Sequence, residues 1–118
     1  MIGKKIWVIP DGFMSDTQKG NYVSHEAVCV LNIGEKDANI KLTIFFEDKE
    51  PLEGFTAVCK SRRTNHIRLD RIVNDKGEKI PKEVPYSVLV ESDTEIVVQH
   101  SRMDVSQAEM TLMSTIAY

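Results

Sequence analysis

The most concentrated group of reactive side chains lies between Lys60 and Arg71, a segment with five positive charges and one negative in a chain of net charge −3. If this segment is a β-strand, alternate residues share a face. The residues that would then point the same way are Arg62, Thr64, His66 and Arg68. Guanidinium groups bind carboxylates and phosphates through paired hydrogen bonds. The segment therefore predicts an anion-binding or protein-docking face, unless its arginines pair with the protein's own acids or lie in a subunit interface.

A second polar group ends the apolar stretch from Ile96 to Asp104. In a strand, His100, Arg102 and Asp104 would share one face with Ile96, so this face changes from core to polar along its length. The three polar side chains can form one connected hydrogen-bonded network there. The alternative is that Arg102 and Asp104 form a purely structural pair at the strand end.

Histidines are the third potential source of chemistry. They are His25, His66 and His100, and three imidazoles are a common zinc ligand set. No two of them have the H-x-H or H-x-x-x-H spacing that favours a metal, so neither a metal nor a cofactor is predicted. A Ser-His-Asp set can be written from Ser24 or Ser101 with His100 and Asp104, but no nucleophile elbow or oxyanion loop accompanies it. A metal-dependent hydrolase is therefore only an alternative, and no catalytic residue is assigned.

The elements that must position these groups are short β-strands, because period-two alternation of apolar residues dominates the sequence. The β-rich runs are Lys5–Ile9, Ala27–Asn32, Lys41–Glu47, Phe55–Cys59, Asn65–Leu69, Tyr86–Glu91 and Glu95–Arg102. Turn signals separate them, among them Gly34–Asp37, Asn74–Gly77 and the pair Ser92-Asp93. This spacing predicts an all-β, antiparallel β-sandwich of about seven or eight strands.

Residues 107–118 fit either a helix or a strand, and the β-branched pair Thr115 and Ile116 favours a strand. No repeat, linker or low-complexity segment interrupts the chain, so we expect a single domain over residues 1–118.

Composition narrows the class of protein. An apolar share of 42% and a charged share of 28% are those of an ordinary globular protein. The acidic total argues against a general nucleic-acid binder. The sequence has neither a signal-peptide core nor a run approaching the ~20 apolar residues of a membrane span, so a cytoplasmic protein that is not membrane-embedded is predicted. Both cysteines, Cys29 and Cys59, lie in apolar runs and are expected to be reduced and buried.

Long motifs distributed along the chain resemble one family, that of the Anabaena sensory rhodopsin transducer. They are Trp7-x-Ile9-x-Asp11-Gly12-Phe13, Ser24-His25-Glu26-x-Val28-Cys29-x-Leu31-Asn32-x-Gly34, Thr43-Ile44-Phe45-Phe46-x-Asp48-Lys49-Glu50-Pro51, Arg62-Arg63-Thr64-x-His66-Ile67-Arg68, Val97-Val98-Gln99-His100-Ser101-Arg102-x-Asp104, Gln107-Ala108-Glu109 and Leu112-x-Ser114-Thr115-Ile116-Ala117-Tyr118. Together they cover most of the sequence.

The resemblance implies a jelly-roll-like β-sandwich that assembles as a homotetramer and acts as a binding or signalling module, not as an enzyme. It also implies docking on a membrane photoreceptor. Two departures bear on that partner: the Met14–Asn21 loop differs from the family's Pro/Gly-rich loop, and the sequence ends at Tyr118 without the family's polar tail. Another signalling protein therefore stays an alternative partner.

A polar ligand, such as a sugar, is the leading hypothesis, because Arg forks, imidazoles and carboxylates on sheet faces can bind hydroxyls or anions. The predicted ligand-binding or interface residues are His25, Glu26, Arg62, Arg63, His66, Arg68, Gln99, His100, Arg102 and Asp104. A sugar also needs an aromatic platform, for which Trp7 and Tyr22 are candidates, although a lone Trp near the start of a strand is more often a core residue. The alternative is an adaptor in which the same polar residues hold a homotetramer together.

Overall fold

A computed structural model describes residues 2–16, 23–106 and 111–118. The described residues form seven strands and no helix. The strands are β1 (Lys4–Gly12), β2 (His25–Asn32), β3 (Ala38–Phe46), β4 (Leu52–Cys59), β5 (Arg63–Arg68), β6 (Tyr86–Asp104) and β7 (Thr111–Ile116). All pairings between strands are antiparallel, which confirms the predicted antiparallel β-sandwich. In the described part of the chain, no helix is available that could cross a bilayer.

β6 organises the two sheets, because it belongs to both. Its first half pairs with β1 and β3, and β3 pairs with β4, which gives sheet A. Its second half pairs with β2 and β7, and β2 pairs with β5, which gives sheet B. The strand order is therefore β4-β3-β6-β1 in sheet A and β5-β2-β6-β7 in sheet B.

The predicted turn at Ser92-Asp93 is wrong, because β6 runs through it without a break for 19 residues. The polar side chains at this point form hydrogen bonds where β6 passes from one sheet to the other. Asp93 accepts hydrogen bonds from the main-chain N–H and the side-chain amide of Asn39, at 2.8 and 2.7 Å. Ser92 accepts one from the N–H of Thr94 at 3.3 Å. Turn-forming residues here mark a change of sheet within one strand.

The core lies between the two sheets and consists of the apolar residues that alternate along each strand. Ile40, Leu42 and Ile44 of β3 are buried, as are Val88 and Val90 of β6. Each such side chain contributes about 1.5–3 kcal/mol when it leaves water. The alternation in the sequence therefore reports directly which residues of each strand face the opposite sheet.

The C-terminal segment closes one side of the sandwich. Residues 111–116 form strand β7, as the β-branched residues predicted, while residues 107–110 lie outside the described part of the chain. After β7, Tyr118 exchanges both main-chain hydrogen bonds with Val8 of β1, at 2.5 and 2.9 Å. This contact joins the edge of sheet B to the edge of sheet A, so β1 and β7 face each other across a gap.

Candidate functional site

The candidate site is centred on the carboxylate of Glu26, which is buried between the sheets. Its Oε1 accepts hydrogen bonds from the Tyr86 hydroxyl at 2.6 Å and from Nε2 of His100 at 3.0 Å. Its Oε2 accepts from Nε of Arg102 at 2.7 Å and from the main-chain N–H of Phe13 at 2.9 Å. A carboxylate has about four lone-pair sites. All four are therefore occupied by donors from this chain.

Strand register brings these donors to Glu26. β2 and β6 are aligned so that Glu26 lies opposite Arg102, with His100 two residues away on the same face. Tyr86 comes from the other half of β6, in sheet A, where it pairs with Gly12 of β1. A side chain at position 12 would overlap the Tyr86 ring, which explains the glycine. Glu26 thus links sheet B to sheet A across the interior.

The donors keep the buried carboxyl ionised. Burial by itself would raise the pKa of Glu26, but the hydrogen bonds from His100, Tyr86 and Phe13, with the charge of Arg102, lower it below its ordinary value. The same contact acts on the phenol, because burial and the adjacent Glu26 carboxylate raise the pKa of Tyr86. Donation to an ionised Glu26 also requires that His100 carries a proton on Nε2.

Arg102 extends the Glu26 cluster to the surface. Its Nη2 lies 3.4 Å from the main-chain oxygen of Asp11 and 3.6 Å from the Asp11 carboxylate. Burial would lower the pKa of Arg102, but Glu26 and then Asp11 raise it, so the guanidinium stays protonated. The Asp11 side chain is 81% exposed, whereas that of Glu26 is 1% exposed. One guanidinium therefore connects a buried acid to an exposed one.

The predicted network of His100, Arg102 and Asp104 is correct for two of its members. His100 and Arg102 do share a face and meet, but they meet through Glu26 and not through each other. Asp104 instead accepts a hydrogen bond from the N–H of Ser106 at 2.8 Å, which lowers its pKa. The proposed structural pair of Arg102 and Asp104 is likewise wrong, because the guanidinium of Arg102 is bonded to Glu26.

Four other predicted residues lie on the outer face of sheet B, on the opposite side from Glu26. They are His25, His66, Arg68 and Gln99. Register places His66 and Gln99 on either side of Cys29, and Arg68 beside Ala27. Arg68 binds Asp70 with two hydrogen bonds at 2.7 and 2.8 Å. Although burial would raise the pKa of Asp70, this pairing lowers it. Arg68 therefore pairs with an acid of its own chain, which is the alternative interpretation of the basic segment.

Arg62 and Arg63 belong to neither group. Arg62 is in a turn with φ of 57°, so it does not share the strand face with His66 as predicted. Its guanidinium lies 3.7 Å from the exposed carboxylate of Glu35. Arg63 begins β5 and is exposed. The basic segment is thus divided between a turn and a sheet face, and its charges do not converge.

Trp7 lies in the core, which confirms the core interpretation and excludes this ring as the aromatic platform. This ring is 7% exposed in the core, and its Nε1 donates to the main-chain oxygens of Lys4 and Ile96, both at 3.0 Å. Tyr22 lies outside the described residues. Of the two free cysteines, Cys59 is buried as expected, whereas Cys29 is partly exposed on the outer face of sheet B.

A cavity of about 300 Å³ lies in the gap between β1 and β7. β1 contributes Pro10 and Asp11 to its lining, and β6 contributes the ring of His100. Thr115 and Tyr118 line it from the C-terminal segment. Its volume is at the lower end of the range for small-molecule sites. The Glu26 cluster therefore forms one wall of a space large enough for a small ligand.

A second cavity, of about 290 Å³, lies at the other side of β7 and is lined by His25 and Arg102. Met113 lies opposite Arg102 in the β6–β7 ladder and lines both cavities. Two of the predicted residues, one from each face of sheet B, thus meet at this strand edge.

Sequence reasoning missed Tyr86, Asp11 and Tyr118 as site residues. Asp11 and Tyr118 are in the family motifs, but their roles depend on the closure between β1 and β7, which pairs distant segments. Tyr86 begins a β-rich run, and nothing local links it to Glu26. The signal that was available is Gly12, since a glycine beside a polar motif indicates a close approach by another group.

The described side chains do not assemble either of the alternative enzyme sites. Among residues 2–16, 23–106 and 111–118, no three His, Cys, Asp or Glu side chains are arranged to hold a metal. Ser24 accepts a hydrogen bond from the N–H of Val105, and Ser101 lies 3.7 Å from the thiol of Cys29. His100 is engaged with Glu26. The Ser-His-Asp sets written from the sequence are therefore wrong.

Comparison with known proteins gives one consistent result. A family model described as ASRT, Anabaena sensory rhodopsin transducer, matches residues 2–118. The crystal structure of Thermotoga maritima 1070 is 38% identical, with a TM-score of 0.89 over 100% of this chain and 96% of that one. The Anabaena sensory rhodopsin transducer is 34% identical, with a TM-score of 0.75 over 84% of this chain and 96% of that one. No curated protein sequence gives a significant match.

The Glu26→Gln variant tests the Glu26 cluster. An amide offers one acceptor oxygen in place of two and places its NH₂ against donors such as Arg102 or Tyr86. Breaking a buried charge pair costs about 3–5 kcal/mol, so we expect a loss of that size in the free energy of unfolding, measured by urea denaturation. Glu35→Gln, which alters an exposed pair, is the control and should change stability by less than about 0.5 kcal/mol. Equal effects of the two variants would contradict the assignment.

The lowered pKa of Glu26 also predicts a pH dependence. Because this pKa is below its ordinary value of 4.5, the ionised form favours folding. That contribution is complete above about pH 4.5 and is lost as the pH falls through the lower, folded value. We therefore expect the stability difference between wild type and Glu26→Gln to shrink as the pH falls below 4.5. A difference that grows as the pH falls would refute the sign of the shift.

Proposed function

Because this chain belongs to the Anabaena sensory rhodopsin transducer family, we propose that it is a non-enzymatic binding and signalling module that works in the cytoplasm as a single domain. The saturated carboxylate of Glu26 carries this proposal. A general base or a metal ligand needs a free lone pair, and all four sites of Glu26 are filled by donors. The Glu26 cluster is therefore a fixed structural element of the interior.

The site that this cluster supports is the cavity between β1 and β7. Its inner wall is the ring of His100, whose position is fixed by the hydrogen bond to Glu26. The hydroxyl of Thr115 and the carboxylate of Asp11 add groups that can bind hydroxyls. The ring of Tyr118, 74% exposed, is the aromatic surface that a sugar requires. We infer a small polar, hydroxylated ligand, for which Tyr118, in place of Trp7 and Tyr22, is the aromatic platform.

The partner protein in this proposal is a signalling protein, and a membrane photoreceptor is the first candidate because one relative is the Anabaena sensory rhodopsin transducer. The outer face of sheet B suits protein contact. Its central residues include Cys29, His66 and Gln99, and Leu31 is 44% exposed beside them. A face with few charges at its centre is typical of the core of a protein interface.

We propose that the chain assembles as a homotetramer and that its subunit interface lies on strand β7. Leu112 and Ile116 are 70% and 62% exposed. The segment from Thr111 to Tyr118 has no charged side chain and no proline, which are the residues that protect a free strand edge. Arg102 is already paired within its own chain. The apolar side chains of β7, and not the polar cluster, are therefore the contacts that we assign to the subunit interface.

Calorimetric titration against a panel of monosaccharides tests the ligand proposal. We expect saturable heat for at least one sugar, because the cavity supplies both acceptors and an aromatic ring. Thr115→Val removes a hydroxyl from the lining and should weaken binding about fivefold or more, in line with the loss of one hydrogen bond. Thr43→Val, on the outer face of sheet A, is the matched control and should leave binding unchanged. Flat thermograms with every sugar at millimolar concentration would remove the ligand proposal.

Light scattering tests the assembly proposal. We expect the wild-type protein to have the mass of four chains and the double variant Leu112→Glu, Ile116→Glu to have a smaller mass, because buried charges oppose association. Val73→Glu changes an exposed apolar residue outside β7 and should keep the wild-type mass. A monomeric wild type, or a double variant that stays tetrameric, would overturn this interface.

A further inference from the structure

The charge balance around the β1–β7 cavity restricts the ligands that it can bind. Asp11 has the only carboxylate side chain in the described lining, to which no Lys or Arg contributes. Arg102 lies 3.6 Å from it, but its Nε is 2.7 Å from the buried Glu26 carboxylate, which already balances the guanidinium. Two carboxylate side chains thus share one guanidinium, so these three side chains carry more negative than positive charge.

The other lining residues have the same preference. The ring of Tyr118 and the thioether of Met113 also line the cavity. The face of an aromatic ring attracts cations. A donor-bearing or positively charged group therefore finds partners here, whereas a phosphate finds only the hydroxyl of Thr115.

We propose that the β1–β7 cavity selects a ligand that carries an amine, with Asp11 as the residue that binds the ammonium group, and that it excludes sugar phosphates and other anions. This inference rests on the proposed function, because it names the chemical class of ligand for the same cavity. The exposed carboxylate of Asp11 determines the specificity, and the Glu26 cluster holds Arg102 so that it does not attract anions.

The position of Asp11 allows the ammonium to bind without opening the core. Its side chain is 81% exposed, so it can turn towards a ligand while its main-chain oxygen stays 3.4 Å from Arg102. Arg102 keeps its bond to Glu26 in the meantime. Replacement of Asp11 by Asn therefore removes one charge from the cavity and leaves the buried network in place.

The experiment compares three ligands with one ring and different charges, which are glucose, glucosamine and glucose 6-phosphate, at pH 6.5 and low salt. We expect glucosamine to bind the wild-type protein roughly five- to tenfold more tightly than glucose, the factor of one partly exposed ion pair. Glucose 6-phosphate should bind more weakly than glucose. In Asp11→Asn, glucosamine and glucose should bind equally. Glu35→Gln, which changes an exposed acid in the turn between β2 and β3 outside the cavity lining, is the control and should keep the preference.

The outcomes separate this inference from the proposed function. Glucose 6-phosphate binding as tightly as glucosamine, or a preference that survives Asp11→Asn, would overturn the amine assignment and leave a ligand-binding module. Binding of none of the three compounds would overturn both. A loss of the amine preference at 500 mM salt, with glucose binding unchanged, would further support it, since exposed ion pairs are screened.

Discussion

The burial of one ionised carboxylate constrains the rest of this structure. An isolated carboxylate in an apolar core costs several kcal/mol, so Glu26 is stable there only if its lone pairs are filled. The four donors come from three places, namely the loop after β1 and the two halves of β6, the second of which supplies both His100 and Arg102. The two sheets must therefore keep a fixed relation to each other, and β6 must pass from one to the other.

The same constraint shapes the functional surface. Because Glu26 accepts hydrogen bonds from His100 and Arg102, these two side chains have fixed positions. Exposed side chains lie further out, at Asp11 and along β7. The proposed ligand site and subunit interface both lie at this exposed edge, outside the fixed polar interior.

The sequence predicts the sandwich because alternation records burial residue by residue, as in Leu42 and Ile44. It also identifies Glu26, His100 and Arg102 as candidates. It does not show that they meet, since their contact depends on the register between β2 and β6. Tyr86 and Asp11 join through pairings between distant segments, for which no local pattern exists. Arg62 was assigned to the wrong element because a left-handed turn residue other than glycine has no clear signal in a single sequence.

The ionisation of Glu26 in the folded protein is the most direct test of this dependence. A ¹³C NMR titration of the side-chain carboxyl, assigned through the loss of its signal in Glu26→Gln, measures it without unfolding the chain. We predict a midpoint below the ordinary value of 4.5, with the His100 ring resonances shifting in the same titration. A midpoint above that value would mean that burial outweighs the donors, which would contradict the assignment of Glu26 as the charged centre of the fold.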